Sequence, residues 1–402
     1  MSGFLENELG SIPSHWSGKP IGEMAFVTKL AGYEYTKFFK YVDDGEIIAL
    51  RALNVREGNL DLTQLKRISR EVSNALPRSK LIKGDILFTY VGANIGQFAL
   101  INENNKYHLA PNICLIRPNK NCDAYFVYSY FRTNFFRENL SNYSVGSSQP
   151  TLPMGNIRKI ILPCPPIEEQ IAIASVLSSL DDKIDLLHRQ NITLERMAET
   201  LFRQWFVEET QEDWVAGTLK DEFDFTMGQS PAGSSFNEDG IGIAMFQGNA
   251  DFGFRFPKER VYTTEPARFA KPMDTLISVR APVGAQNMAK VKCCIGRGVA
   301  AFRYKSNPHF YTYTYFKLRS LMEEIKLFND EGTVFGSISK SDFENLVTSI
   351  PNYENVFKFE TEAKPINDKI INNCEQIQIL EKLRDNLLPK LMSGEVRVGA
   401  TG

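Results

Sequence analysis

Apolar positions recur from residue 173 to residue 205 at alternating spacings of four and three: Ile173, Leu177, Leu180, Ile184, Leu187, Asn191, Leu194, Ala198, Leu201 and Trp205, with Asn191 the one polar member. This alternation is the heptad seam of a helix that packs lengthwise on another helix. Adding 186 to each number gives Phe359, Ala363, Ile366, Ile370, Asn373, Ile377, Leu380, Arg384, Leu387 and Leu391, of which eight are again apolar. Asp182-Lys183-Ile184 is matched by Asp368-Lys369-Ile370 at the same offset. The pattern predicts two long helices in one register. Such a helix could lay its stripe on its own domain, but ten seam positions run about 48 Å at 1.5 Å per residue, awkward to bury on one small domain. Pairing within the chain is therefore expected, antiparallel, with the two preceding blocks at opposite ends of a rod. Asn191 and Asn373 fall on the seams, where a buried Asn fixes register at some cost in stability. Pro365 predicts a start or kink in the second helix, and Pro389 a kink or an end.

Ahead of each helix the two halves match more loosely. Trp16 and Trp214 each open a block. Gly84-Asp85-Ile86-Leu87-Phe88-Thr89 stands against Met273-Asp274-Thr275-Leu276-Ile277-Ser278, and each runs into a turn, ending at Ile95-Gly96 or Val283-Gly284. Gly146-Ser147-Ser148-Gln149-Pro150-Thr151-Leu152 precedes Gly332-Thr333-Val334-Phe335-Gly336-Ser337-Ile338 by 186 residues. The offset drifts from 198 at the tryptophans through 189 at the aspartates to 186 at the helices, so insertions lie in the blocks while the helices keep step. Asp85–Tyr90, Ile113–Arg117 and Thr275–Val279 read as strands; Ala124–Asn139 and Phe310–Phe328 read as helices. Pro163, Pro165 and Pro166 separate the first block from its helix. The expected fold is α+β: two mixed α/β domains joined by two long helices that form an antiparallel coiled coil, with a pseudo-two-fold internal repeat. Its divisions fall at 1–165, 166–210, 211–350 and 351–402.

Composition narrows the class. The chain has 402 residues, 43% hydrophobic and 23% charged, which excludes a disordered or collagen-like chain. No apolar stretch approaches the roughly 20 residues of a membrane-spanning helix. The opening MSGFLENELG has neither a basic nor an apolar leader region. Six scattered cysteines without a C-x-x-C pair point to a reducing cytoplasm and no structural zinc. The net charge of −2 hides a pattern: residues 1–160 carry 19 Lys and Arg against 14 Asp and Glu, and residues 161–213 carry 4 against 11. Residues 214–350 carry 16 against 15, and residues 351–402 carry 7 against 8. Two mildly basic blocks permit contact with phosphates without requiring it.

Catalytic patterns are missing. No dinucleotide fingerprint, phosphate-cradling loop, H-E-x-x-H or G-x-S-x-G occurs, and His15, His108, His188 and His309 are far apart. Glu362-Ala363-Lys364 has the acid-x-lysine spacing of metal-dependent nucleases, but falls in the expected helix without an acidic partner in a strand. Asp85 and Asp274 are expected at strand-opening turns, accepting backbone N–H groups.

The layout resembles the specificity (S) subunit of Type I restriction-modification systems. The residues that carry the resemblance are Ile12-Pro13-Ser14-His15-Trp16, Gly228-Gln229-Ser230-Pro231, Pro163-Cys164-Pro165-Pro166-Ile167-Glu168-Glu169-Gln170 before the first helix, and Leu387-Leu388-Pro389-Lys390-Leu391-Met392-Ser393-Gly394-Glu395-Val396 at the end of the second. Ile350-Pro351-Asn352-Tyr353-Glu354-Asn355, leading into the second helix, departs from the pattern by lacking the Pro-Pro and Glu-Gln pairs. The resemblance implies a non-catalytic subunit of a restriction system that reads a bipartite sequence in double-stranded DNA. Each target-recognition domain takes one half-site, and the helices set the gap and dock two methylation (M) subunits, to which restriction (R) subunits attach. Adenine-N6 methylation would use S-adenosylmethionine held by M, and cleavage ATP and Mg²⁺ held by R. No cofactor, metal or membrane belongs to this chain.

Base reading needs donors and acceptors that reach groove edges. The candidates sit near the repeated turns: Tyr90, Asn94, Ser147, Ser148 and Gln149 in the first block, and Arg280, Gln286, Arg297, Thr333 and Ser337 in the second. Lys37, Lys40 and Lys258 are candidate phosphate contacts. The competing readings are a two-lobed coiled-coil scaffold that binds protein without DNA specificity, and the recognition part of a DNA methyltransferase or nuclease.

Overall fold

The computed structural model describes residues 4–7, 9–92, 94–143, 151–209, 213–328 and 336–398. The chain divides into two compact units, Met1–Lys183 with Leu380–Gly402, and Ile184–Ile379.

In the first unit a four-stranded antiparallel sheet runs in the order Phe98–Leu100, Ile86–Thr89, Ile113–Pro118, Ala25–Lys29. A smaller sheet pairs Tyr107–Leu109 in parallel with Ile47–Leu50, which also meets Arg67–Ile68. Ile86–Thr89 is buried along its whole length, as its unbroken Ile-Leu-Phe-Thr run requires of a strand covered on both faces. Phe88 of this strand meets the stacked rings of Phe131 and Phe136 edge to face. The same core takes in Ile173 and Leu177 together with Leu388, Leu391 and Met392, so the end of the chain completes a core begun by Ile12 and Trp16. Trp16 Nε1 donates to Glu169 at 3.1 Å and His15 Nε2 lies 3.0 Å from the same carboxylate. The Ile12–Trp16 and Pro163–Gln170 motifs are thus clipped together.

The second unit repeats the topology. Phe223–Met227, Val299–Tyr304, Thr275–Ser278 and Gln286–Met288 form a sheet of the same order and sense, and Ile243–Phe246 runs parallel to Cys293–Ile295. The aspartates at the strand-opening turns also repeat. Asp85 accepts from the Ile82 N–H at 2.7 Å and from Arg117 Nε at 2.6 Å, while Asp274 accepts from the Lys271 N–H at 2.7 Å and from Arg303 Nε at 2.6 Å. Both are turn caps, with an arginine from the neighbouring strand that sequence spacing did not reveal.

Two long helices span Ile167–Arg203 and Tyr353–Met392. Within the second unit they run antiparallel: Asn373 Nδ2 donates to Asn191 Oδ1 at 2.8 Å, and further along the first helix Phe202 meets Phe359, earlier in the second. Every seam position is buried or half-buried. Within the first unit the pair is held by charge. Asp181 receives Arg384 at 2.9 Å from the second helix, and Arg132 and Tyr125 at 2.5 Å each from the block. Burial alone would raise the Asp181 pKa, but Arg132, Tyr125 and Arg384 outweigh it and hold it below the usual carboxylate value.

Three sequence expectations need correction. The second helix neither starts at Pro365 nor ends at Pro389. Proline in a helix interior costs about 3 kcal/mol, and around Pro365 the fully buried Phe359, Ala363, Asn367 and Ile370 hold the helix in place. Ala124–Asn139 is two helices, Ala124–Phe131 and Asn134–Leu140, because Thr133 Oγ1 accepts from the Phe136 N–H and restarts the helix. Phe310–Phe328 likewise splits into Tyr311–Ser320 and Met322–Leu327.

The helices that open at 124 and 311 are capped differently. Asp123 accepts from the Phe126 N–H at 2.8 Å. Phe310, at the corresponding cap, has no acceptor side chain, and Glu360 of the second long helix takes the Tyr313 N–H at 2.7 Å instead. Burial drives the Glu360 pKa up to about 7 against the opposing pull of those donors.

Two measurements check these contacts. Asp181→Ala should lower the unfolding free energy by about 2–4 kcal/mol, by stranding two half-buried arginines; urea titration showing under about 0.5 kcal/mol would dismiss the junction. Glu360 binds its proton more tightly folded than unfolded. Its stabilising contribution is therefore complete below its ordinary carboxylate range and fades as pH rises through about 7. Glu360→Gln should flatten that part of the Tm–pH curve, and an unchanged slope would refute it.

Candidate nucleic-acid interface

Register places the candidate loops at one end of each four-stranded sheet. In the first unit Thr89 is paired with Ile113, and Lys29 with Cys114, so the segments after Thr89 and Lys29 emerge beside the one that precedes Ile113. Lys29 Nζ sits 5.1 Å from the centre of the Tyr90 ring. Tyr90 accepts the Leu152 N–H at 2.8 Å through its carbonyl, and Val91 forms a β-bridge with Thr151. Burial, then the Cys114 thiol, raise the Tyr90 pKa, so its phenol would meet a partner as a neutral hydroxyl. Asn94 is exposed at the turn, and its carbonyl accepts from Thr89 Oγ1.

The second unit has the same construction. Met227 pairs with Ala300 and Ser278 with Val299, and Arg280 bridges to Ser337, as Val91 does to Thr151. Arg297 is exposed, its Nε 3.3 Å from Ser230 Oγ, which brings the Gly228-Gln229-Ser230-Pro231 motif to the same sheet end. Backbones crowd here: a Cβ on Gly228 would lie 2.1 Å from the Gly296 carbonyl, and one on Gly298 would lie 2.1 Å from that of Gln247. Only glycine permits this approach. Asp251 steadies the adjoining loop, accepting from the Gln247 N–H at 2.7 Å and pairing with Arg260. Lys258, exposed, donates its backbone N–H to the Asp251 carbonyl at 2.7 Å.

Fully buried Asn54 holds the matching loop of the first unit, taking the Arg51 N–H and donating to the Asp61 carbonyl at 2.8 Å. Sequence reasoning missed this pair of buried loop clasps. Their signal was a polar residue four or five positions after each apolar strand, Asn54 after Leu50 and Asp251 after Phe246.

The other candidates fare unequally. Lys37 and Lys40 are exposed, on and just after the helix Gly32–Phe38. Ser147, Ser148, Gln149 and Thr333 lie outside the described residues. Gln286 is turned inward: it is buried and donates Nε2 to the Tyr315 carbonyl at 2.7 Å. Its position in strand Gln286–Met288 points it away from the surface, so its chemistry serves the core. Arg384, the charged exception on the second seam, is explained by Asp181. No helix among the described residues is long and apolar enough to cross a membrane.

Residues 13–196 match the family described as Type I restriction modification DNA specificity domain. The putative type I restriction enzyme MjaX specificity subunit of Methanocaldococcus jannaschii is 28% identical over 98% of this chain and 97% of its own length. Over nearly its whole length the chain is similar to type I specificity subunits. The MjaIX specificity subunit of the same organism is 27% identical over 98% of this chain and 96% of its own. The Type-I restriction-modification S subunit from M. genitalium, 16% identical, shares the fold with a TM-score of 0.63, covering 94% of this chain and 96% of that one. Specificity subunits are the non-catalytic members of their systems, and DNA target recognition is general to the family.

Gln286→Leu should lower stability by about 0.5–1.5 kcal/mol by removing a buried hydrogen bond, with any DNA-sequence discrimination intact in the folded fraction. Altered discrimination at full stability would return Gln286 to the interface.

Proposed function

We propose that this chain gives a Type I restriction-modification complex its DNA sequence, by reading a bipartite target with one half-site per block. Residues 1–165 form target-recognition domain 1 and residues 211–350 target-recognition domain 2. Residues 166–210 and 351–402 are the spacer helices, the latter with the C-terminal tail. The observation that carries this reading is the repeat of one sheet topology, each copy gathering different polar and basic loops at the same end: Lys29, Tyr90 and Asn94 in one, Arg280, Arg297, Ser230 and Ser337 in the other. Lys37, Lys40 and Lys258 are exposed near these loops and take phosphates. Two readers on one framework are what a split recognition sequence requires.

The helices set the gap. A seam kept in heptad register, with Asn191 bonded to Asn373, resists the slippage that would change half-site separation. Off the seam, Leu186, Ile192, Met197 and Ile379 stand exposed on the two helices. Apolar side chains in that position are suited to docking the two methylation subunits, which in turn carry the restriction subunits. Methyl transfer with S-adenosylmethionine and ATP-driven cleavage belong to those partners, in the cytoplasm where the DNA lies.

Co-expression with the methylation subunit of the same system, followed by genome-wide mapping of N6-methyladenine, should reveal one bipartite motif. Replacing residues 1–165 with the first domain of another family member should change one half of that motif and leave the other half and the gap as they were. An assembled, active complex that marks no motif would leave the scaffold reading in its place.

A further inference from the structure

The short helix Gly32–Phe38 leaves the reading end of the first sheet three residues after Lys29. Its composition is unusual for a surface: Tyr33 is 68% exposed, and Tyr35, Phe38 and Tyr41 are each exposed by more than a third. The segment is nevertheless anchored. Phe39 is buried, packed on Tyr35, Tyr41 and His108 with ring centres 5.4–5.8 Å apart. Glu34, the helix's acid, turns inward, accepts the Ala31 N–H at 3.1 Å and faces Arg78 at 3.7 Å. Anchored below, the helix holds its outer rings in water, where such area is unfavourable unless a partner covers it.

Charge narrows the partner. Lys37 and Lys40 are exposed among these rings, while Asp43 and Asp44 fall beyond the aromatic run, in the turn before Ile47. Lysines spaced through exposed rings suit a polyanion with flat apolar faces: phosphates for the ammonium groups, and base or sugar faces for the rings. The second unit bears a different group at this topological position. There the segment after strand Phe223–Met227 is Gly228-Gln229-Ser230-Pro231, pressed against the Gly296 backbone and bonded to Arg297.

We propose that Tyr33 and Phe38 are specificity-determining residues that read the first half-site by wedging against base steps, whereas Arg297 and Ser230 read the second by hydrogen bonds. This rests on the bipartite-reader function above. A wedge discriminates by how readily a step unstacks and bends, so the first half-site should depend on a deformable pyrimidine–purine step. The second should depend on base-edge groups.

The test uses the chain co-expressed with its methylation subunit and compares wild type, Tyr33→Ala/Phe38→Ala and Arg297→Ala by methylome mapping. A second readout is fluorescence of 2-aminopurine placed at successive steps of the first half-site, in the purified complex with DNA. The double variant should lose at least about tenfold in discrimination at one or two first-half positions, together with the 2-aminopurine enhancement, and keep the second half. Arg297→Ala should do the reverse. Both variants change exposed side chains, and co-purification with the methylation subunit verifies folding. An unchanged motif and fluorescence in the double variant would overturn the proposal. So would loss of the methylation subunit from the double variant, which would make the rings a protein contact. A wild-type complex that marks no bipartite motif would refute the underlying function instead.

Discussion

One carboxylate, Asp181, holds three distant stretches of chain: Tyr125 and Arg132 of the block, the first long helix on which it stands, and Arg384 near the end of the second. Partly desolvated charges are unfavourable unless matched, and here one acid meets two arginines and a phenol within hydrogen-bond distance. The unit around it depends on that convergence. Leu388, Leu391 and Met392 enter its core beside Ile173 and Leu177, so residues some two hundred positions apart must meet before the core is complete. Contacts of that sequence separation make the unit slow to assemble and cooperative once formed.

The polar clasps show how a fold is kept while its surface is free to change. Asp85 with Arg117 and Asp274 with Arg303 repeat almost atom for atom; Asn54 and Asp251 hold equivalent loops with different chemistry. The aspartate clasps close the far end of each sheet, and the Asn54 and Asp251 clasps hold the loops at the reading end. Side chains a few residues further out carry no such duty, and there the two copies diverge, with tyrosines and lysines in one and serine, glutamine and arginine in the other. Division of labour between buried polar anchors and free loop tips is what allows recognition to vary on a constant frame.

Much of this was legible in the sequence, for a physical reason. A heptad stripe is a property of local spacing, so the helices and their asparagines could be read directly, and the repeated aspartates announced themselves as turn caps. The site was harder. Gln286 looked like a base reader because its type and its nearness to a turn are shared with true surface residues; its inward direction is set by strand alternation against Tyr315, a partner 29 residues away. Arg384 looked like a flaw in the seam until Asp181 supplied its counter-charge. Pro365 and Pro389 obey a local rule that packing overrode. Spacing reveals what one segment prefers, whereas pairing across the fold decides which way a polar side chain faces.

The unlike caps of the two block helices bear on how freely such domains are exchanged in evolution. The first block brings its own cap in Asp123. The second borrows one from Glu360, a residue of the spacer. A foreign second block that supplied its own cap would leave the Glu360 carboxylate buried beside no donor. Recombination breakpoints that carry residue 360 along with the second block would conserve this joint, as those that carry residue 181 along with the first block would conserve the Asp181 junction.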